Sequence, residues 1–425
     1  MTREEQASLT ILREHGYKVA DIQSIAKDQG TFAVRVPAQR SHLAPGVRFE
    51  AKTVELGDGS FTNAFTLTLD LEQVATEVVS SAAGFYLRDL LGAGGVLAAV
   101  SGSFSFISDD PDYQPAQPCL DFCCRAGEIV SLPTVAKPAF VIHRGRAALL
   151  LMPAAGRVRV GCTTFPWIGS KVAAGPGAHV QQAGALTVFN AANCQVEYED
   201  HDRTGFVRFV GRPGNITPAN PAALDCVVSY RSGRGHTITS VHPGGGADLF
   251  AGSFILRGDT SHATALREGT SVRVISVGEL VAEEMSCGIS VGPSVADAAS
   301  GEVAPYDASL GLSPFRDVRY ARTLVRLSGR KLRFQVFDGA PLSDAFRGVT
   351  PTETARLCAA DGMPPHETYH LDGGQSSKIG FLRNGKVTVK GSMHYLEWPQ
   401  DDNADFRWRG LDGRHLRSCF VVRAR

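Results

Sequence analysis

The chain is expected to fold as an α+β protein: strand-rich mixed sheets with a few packed helices. Three observations predict this. Short apolar or alternating runs recur along most of the chain, divided by Gly, Asn and Pro. Only three stretches carry helix signals. Glycine makes up 45 of 425 residues, about one in nine against a usual ~7%. These glycines stand in clusters, which mark turns or close backbone approach to a ligand.

Taken in order, residues 2–15 read as a short helix, with Thr2 and Glu5 in capping-box spacing and Gly16 as the stop. Residues 61–71 (FTNAFTLTLDL) alternate like a strand. Residues 72–92 read as a helix ending at Gly92, and 96–100 (VLAAV) as a buried strand. Strand signals recur near 128–132, 139–142, 147–151, 185–190, 206–210, 225–230, 236–241 and 271–276. Two stretches, 211–223 and 286–317, read as long irregular loops of the kind that often carry function. Residues 323–329 and 331–339 form two strands across a Ser-Gly turn. Thr350 as N-cap, Pro351 at N1 and Glu353 at N3 then open a helix that Gly362 ends. Residues 383–386 (Arg-Asn-Gly-Lys) make a hairpin turn. No composition break marks a linker. The expected organisation is a helical or mixed N-terminal segment, 1–50, followed by one large unit, 51–425.

Charge narrows the function. The 43 Lys+Arg balance 43 Asp+Glu, so no overall field gathers nucleic acid or an anionic membrane. Neither partner is expected. The charged N-terminus lacks the apolar core of a signal peptide, and no apolar run reaches ~18 residues, so a cytoplasmic protein is expected. The nine scattered cysteines then read as reduced thiols. Cys119, Cys123 and Cys124 lack the partners of a zinc site.

The chemistry-bearing candidates are glycine clusters beside polar residues. In His370–Ser377 (HLDGGQSS), Gly373 and Gly374 can present consecutive N–H groups to an anion, with Ser376 and Ser377 nearby. An Asp-Gly turn explains the same residues without a ligand. Ser101 and Gly102 end the buried 96–100 strand, a placement ligand sites favour. Arg322, beside Thr323, has the guanidinium that binds phosphate bidentately. Asp372, Asp338 and Glu353 are the candidate catalytic carboxylates, Glu353 also being accounted for by its capping box. The run Asp109, Asp110, Asp112 has oxygen ligands suited to calcium or magnesium, though a solvated turn explains it better. Gly92–Gly95 (GAGG) follows a helix and precedes a strand, the wrong order for a dinucleotide loop.

The order of these segments resembles the phosphodiester glycosidase family, relatives of the lysosomal uncovering enzyme. That family's Asn-Gly-Gly-Phe-like strand end is matched by Ser101-Gly102-Ser103-Phe104. Its Arg-Thr-Ala segment is matched by Arg322-Thr323-Leu324, and its Asp-Gly-Arg strand end by Asp338-Gly339-Ala340. Its Gly-x-Thr-x-x-Glu helix start is matched by Gly348, Thr350 and Glu353. Its Asn-Leu-Asp-Gly-Gly-Gly-Ser-Ser signature is matched by His370 through Ser377, with Gln375 in place of the third glycine. The likeness spans roughly residues 50–392. It implies cleavage of the anomeric C–O bond of a sugar phosphodiester or related sugar conjugate, in a small-molecule pathway. No cofactor is required, with calcium or magnesium admitted as an option. Asp372, Asp338 and Glu353 would supply acid, base or cation stabilisation. Ser101, Gly102, Arg322, Thr323, His370, Gly373, Gly374, Gln375, Ser376 and Ser377 would bind substrate. Sugar transfer to another acceptor, and sugar or nucleotide binding without turnover, are the alternatives.

Overall fold

A computed structural model describes residues 35–105, 113–173, 184–194, 196–201, 204–209, 215–303, 318–339, 346, 348–391, 396–397, 407–408 and 415–425. Its centre is a pair of antiparallel sheets. The first runs Gln39–Ala44, Val47–Glu55, Phe61–Asp70, Lys331–Phe337, Arg322–Ser328, Thr368–His370. The second runs Lys386–Gly391, Lys378–Arg383, Val96–Ser101, Leu416–Ala424, Val74–Phe85. Between them lie Phe49, Phe65, Val100, Val336, Ile379 and Phe420. Ring contacts cross the gap, with Phe49 against Phe381 at 4.5 Å and Phe334 against Phe420 at 4.9 Å. Burying each such side chain stabilises the fold by roughly 1.5–3 kcal/mol.

The 61–71 expectation is met by Phe61–Asp70, buried on both faces rather than one. Phe65 and Leu67 face the second sheet. Ala64 faces outward with Leu324 and Phe337, where helix Pro351–Ala360 covers them through Cys358. That helix has the expected capping box, and Gly362 follows it at φ +68°. The 383–386 hairpin also forms, with Asn384 and Gly385 at φ 50° and 74°.

Three expectations are corrected. Residues 72–92 are not one helix: Val74–Phe85 is a strand and only Leu87–Gly92 is helical. Val74, Thr76, Val78 and Ser80 alternate inward, and the segment pairs along its length with Leu416–Ala424. This packing outweighs local helix propensity. The 286–317 stretch begins with strand Met285–Ser290 and helix Val295–Ser300, and 304–317 lies outside the described residues. A boundary at residue 50 would cut through strand Val47–Glu55, so the sheet includes the chain from Gln39. The helix at 2–15 and the Asp109–Asp112 run also fall outside the described residues.

The remaining strands form a five-stranded sheet and a barrel. The sheet order is Glu128–Ser131, Cys123–Arg125, Met285–Ser290, Lys137–His143, Arg146–Met152. The barrel runs Ala155–Val160, Thr163–Gly169, Leu186–Phe189, Phe254–Asp259, Ala223–Arg231, Gly235–Pro243, Ser271–Val277. Pairing of Ser271–Val277 with Ala155–Val160 closes it into seven strands. Closure removes the exposed edges that invite aggregation. Trp167, Val188, Val228, Leu256 and Val274 belong to the core around this barrel. Of the 211–223 stretch, the described part is tied down: Thr217 is buried and accepts from Ala247 N–H at 2.9 Å. No helix among the described residues is long and apolar enough to cross a membrane.

Candidate functional site

The segment 371–377 crosses from the first sheet to the second, linking strand Thr368–His370 to strand Lys378–Arg383. Its backbone is pinned on both sides. Leu371 N–H donates to Thr323 O at 2.8 Å and Gly374 N–H to Ala321 O at 2.7 Å, on the first sheet. Asp372 N–H donates to Gly102 O at 2.9 Å, beside the end of Val96–Ser101. Gly102 in turn donates to Ser418 O at 3.0 Å. A Cβ on Gly102 would sit 2.9 Å from the Ser418 carbonyl, so the approach requires glycine. Gly374 takes φ +57° in the tight turn Gly374–Ser376. Asp372, Gly373, Gly374 and Gln375 are half-buried, while Ser376 and Ser377 are buried.

The other candidates gather at this crossing. Ser101 Oγ lies 3.2 Å from Thr323 Oγ1 and accepts from Lys378 N–H at 3.2 Å, joining the sheets through hydroxyls. Asp338 follows Phe337 at the same sheet end. Its N–H donates to Asn63 O at 2.9 Å and its carbonyl accepts from Thr62 Oγ1 at 2.8 Å. Strand alternation puts Asp338 on the face of Val336, toward the second sheet. Gly339 N–H donates to Oδ1 at 2.8 Å, and Oδ2 has no hydrogen-bond partner among the described residues. Burial pushes its carboxyl up to about 7, against the opposing pull of the Gly339 N–H and the Lys390 ammonium. Ser377 Oγ is likewise buried without a hydrogen-bond partner.

Two candidates point the other way. Arg322 pairs with Phe337 and shares its face, toward helix Pro351–Ala360. Its buried guanidinium donates to Val349 O at 2.9 Å and Val318 O at 3.1 Å. His370, paired with Leu324, is on that face too. Burial and then the Arg322 charge hold His370 well below its ordinary value, so the imidazole is neutral. Glu353 accepts from Thr350 N–H at 2.9 Å and from Arg319 at 3.0 Å. Burial opposes ionisation there, but Arg319 and the cap outweigh it and hold the carboxyl low. The expected pair of free glycine amides is corrected as well: Gly374 N–H is used by Ala321. No cluster of three or more metal-ligating side chains occurs among the described residues.

Lys390 escaped sequence reasoning. The hairpin register pairs it with Ile379, an inward position, so its stem enters the layer that holds Asp338. The Asn-Gly turn fixes that register, so a lysine opposite a core isoleucine was a readable signal.

No protein-family model matches the chain, and no curated protein matches it. Solved structures do. A hypothetical protein from Synechocystis superposes with a TM-score of 0.53 at 11% identity, over 92% of this chain. The chain spans 64% of that protein's length. A protein of Burkholderia pseudomallei K96243 gives 0.49 at 15% identity, over 86% of this chain and 74% of that one. The catalytic domain of zebrafish N-acetylglucosamine-1-phosphodiester alpha-N-acetylglucosaminidase, auto-inhibited by its pro-peptide, gives 0.41 at 12% identity, over 92% and 89%. The Synechocystis match speaks to the fold alone, and the two lower scores carry no argument about chemistry.

Proposed function

We propose that the protein is a glycosidase that cleaves the anomeric C–O bond of a sugar phosphodiester or a related sugar conjugate. One observation carries the reading. The signature segment crosses between two sheets with half-exposed Asp372 on it, and a buried carboxyl poised near neutrality, Asp338, follows the strand next but one in the first sheet. Glycosidic cleavage needs two carboxyl groups held in different protonation states. Asp338, close to half-protonated at neutral pH, is the donor to the leaving oxygen. Asp372 faces the positive charge that develops on the sugar. Water supplies oxygen to the anomeric carbon, and its released proton restores Asp338. Ser377, Gly373 and Gln375 are the groups left to contact the ligand. Arg322, spent on backbone carbonyls of the opposite face, is a framework residue in this scheme, as is Glu353.

Asp372→Asn tests the proposal. Turnover of a sugar-phosphodiester panel should fall at least ~10²-fold with the circular dichroism and melting curve unchanged, and an active variant ends the assignment. Transfer to an acceptor other than water uses the same groups and is revealed by alcohol adducts among the products. The second reading is sugar or nucleotide binding without catalysis. Saturable binding with no turnover across the panel would select it.

A further inference from the structure

A lysine stem in the layer between two apolar sheets needs a reason. Lys390 is paired with Ile379, and Ile379 packs with Val100 and Val336 in the inter-sheet core. An aliphatic residue there would cost nothing in desolvation, whereas a half-buried ammonium does unless a charge or dipole answers it. Across the layer stands Asp338, two positions beyond Val336 and on its face. The two act on one another: burial lowers the Lys390 ammonium while Asp338 raises it, and Lys390 pulls Asp338 down.

Among the described residues, Lys390 is the charged group whose pull on Asp338 is resolved. Strand Phe61–Asp70 offers Thr62 and Asn63, both neutral, through backbone and hydroxyl contacts. Strand Arg322–Ser328 carries Arg322, but that guanidinium is turned to the helix face, on Val349 and Val318. The crossing segment contributes the neutral Ser377 and a second carboxyl, Asp372, whose backbone N–H donates to Gly102 O. Gly339 N–H holds one Asp338 oxygen only.

We propose that Lys390 helps to set whether Asp338 carries its proton, and is a positioning residue for the acid step. When the Asp338 O–H bond breaks and the leaving oxygen takes the proton, the carboxylate is left with the Gly339 N–H and the electrostatic pull of the Lys390 ammonium. The proton lost by the attacking water then closes the cycle. This rests on the acid role given to Asp338 above.

The test needs no substrate, so it is separable from the glycosidase reading. The protonated-carboxyl stretch of Asp338 is assigned by infrared difference between wild type and Asp338→Asn, then titrated from ~pH 4 to ~9. In Lys390→Met the band should persist to higher pH by at least ~1 unit, the scale of removing one neighbouring opposite charge. Lys390→Arg should titrate like wild type, and Lys390→Gln replaces the methionine variant if that one does not fold. A Lys390→Met titration coincident with wild type overturns the proposal, as does a wild-type protein in which Asp338 shows no protonated band. Absence of turnover on every sugar phosphodiester, with the shift still seen, removes the glycosidase reading and leaves the Lys390–Asp338 pairing standing.

Discussion

Asp225 and Asp338 are both fully buried aspartates, one within a barrel strand and one just past a strand end, yet they are built oppositely. In the barrel, Asp225 accepts from Arg257 at both oxygens, Nε at 2.6 Å and Nη2 at 2.8 Å, and also from Thr217. Between the two sheets, Asp338 has one amide on one oxygen and, among the described residues, nothing hydrogen-bonded to the other. A bidentate guanidinium fixes charge and geometry together. A single amide with the pull of one ammonium leaves the protonation state open. Only the second arrangement can give a proton away, and it is costly to keep.

The barrel side of the comparison should break most severely. Arg257→Met leaves the Asp225 carboxylate buried without its partner. Removing one member of a buried ion pair costs about 3–5 kcal/mol. Chemical denaturation should show a loss of that size. A loss below ~1 kcal/mol would mean that the Arg257 pair does not hold this part of the barrel, and the contrast between the two would collapse.

Asp338→Asn sharpens the other side, and in the opposite direction. An unfolded aspartate titrates near ~3.9, whereas the folded Asp338 titrates at about 7. Below the unfolded value both states hold the proton, and the folded state bears no charge penalty. As pH rises toward about 7 the unfolded chain ionises first, and stability is lost. Asparagine does not titrate. The variant's stability relative to wild type should therefore climb between ~pH 4 and ~7 by on the order of 2–4 kcal/mol, then level off. Melting curves across that range measure it. A flat difference would show Asp338 to be ionised in the fold like any paired carboxylate. Greater stability together with lost activity is the trade expected of a functional group.

Much of this was legible locally and little of it globally. Thr350, Pro351 and Glu353 announce their helix because a cap is satisfied within three residues. Asn384-Gly385 announces its hairpin because few residues accept positive φ at two successive positions. Residues 74–85 misled because what makes them a strand is Leu416–Ala424, more than 300 residues further on. The candidate site shows the same limit. Motif order brought Ser101, Thr323, Asp338 and Asp372 to one sheet end. That Arg322 turns away depends on the parity of its pairing with Phe337, which short motifs do not carry. Lys390 and Asp338 face one layer only because two sheets stack.

The smallest effect tests whether the two faces of the first sheet are independent. Helix Pro351–Ala360 covers Leu324 and Phe337, the face opposite Asp338. Thr350 Oγ1 accepts from Glu353 N–H at 3.1 Å, and Glu353 reaches back to Thr350 N–H. Thr350→Ala removes one half of this exchange and should cost ~1 kcal/mol, visible as a lower denaturant midpoint. The Asp338 titration should not move, because the cap touches no group that faces it. If the titration does shift, the helix face and the inter-sheet layer are coupled through the strand between them. The contrast with Asp225 would then belong to the whole sheet end rather than to one carboxyl's partners.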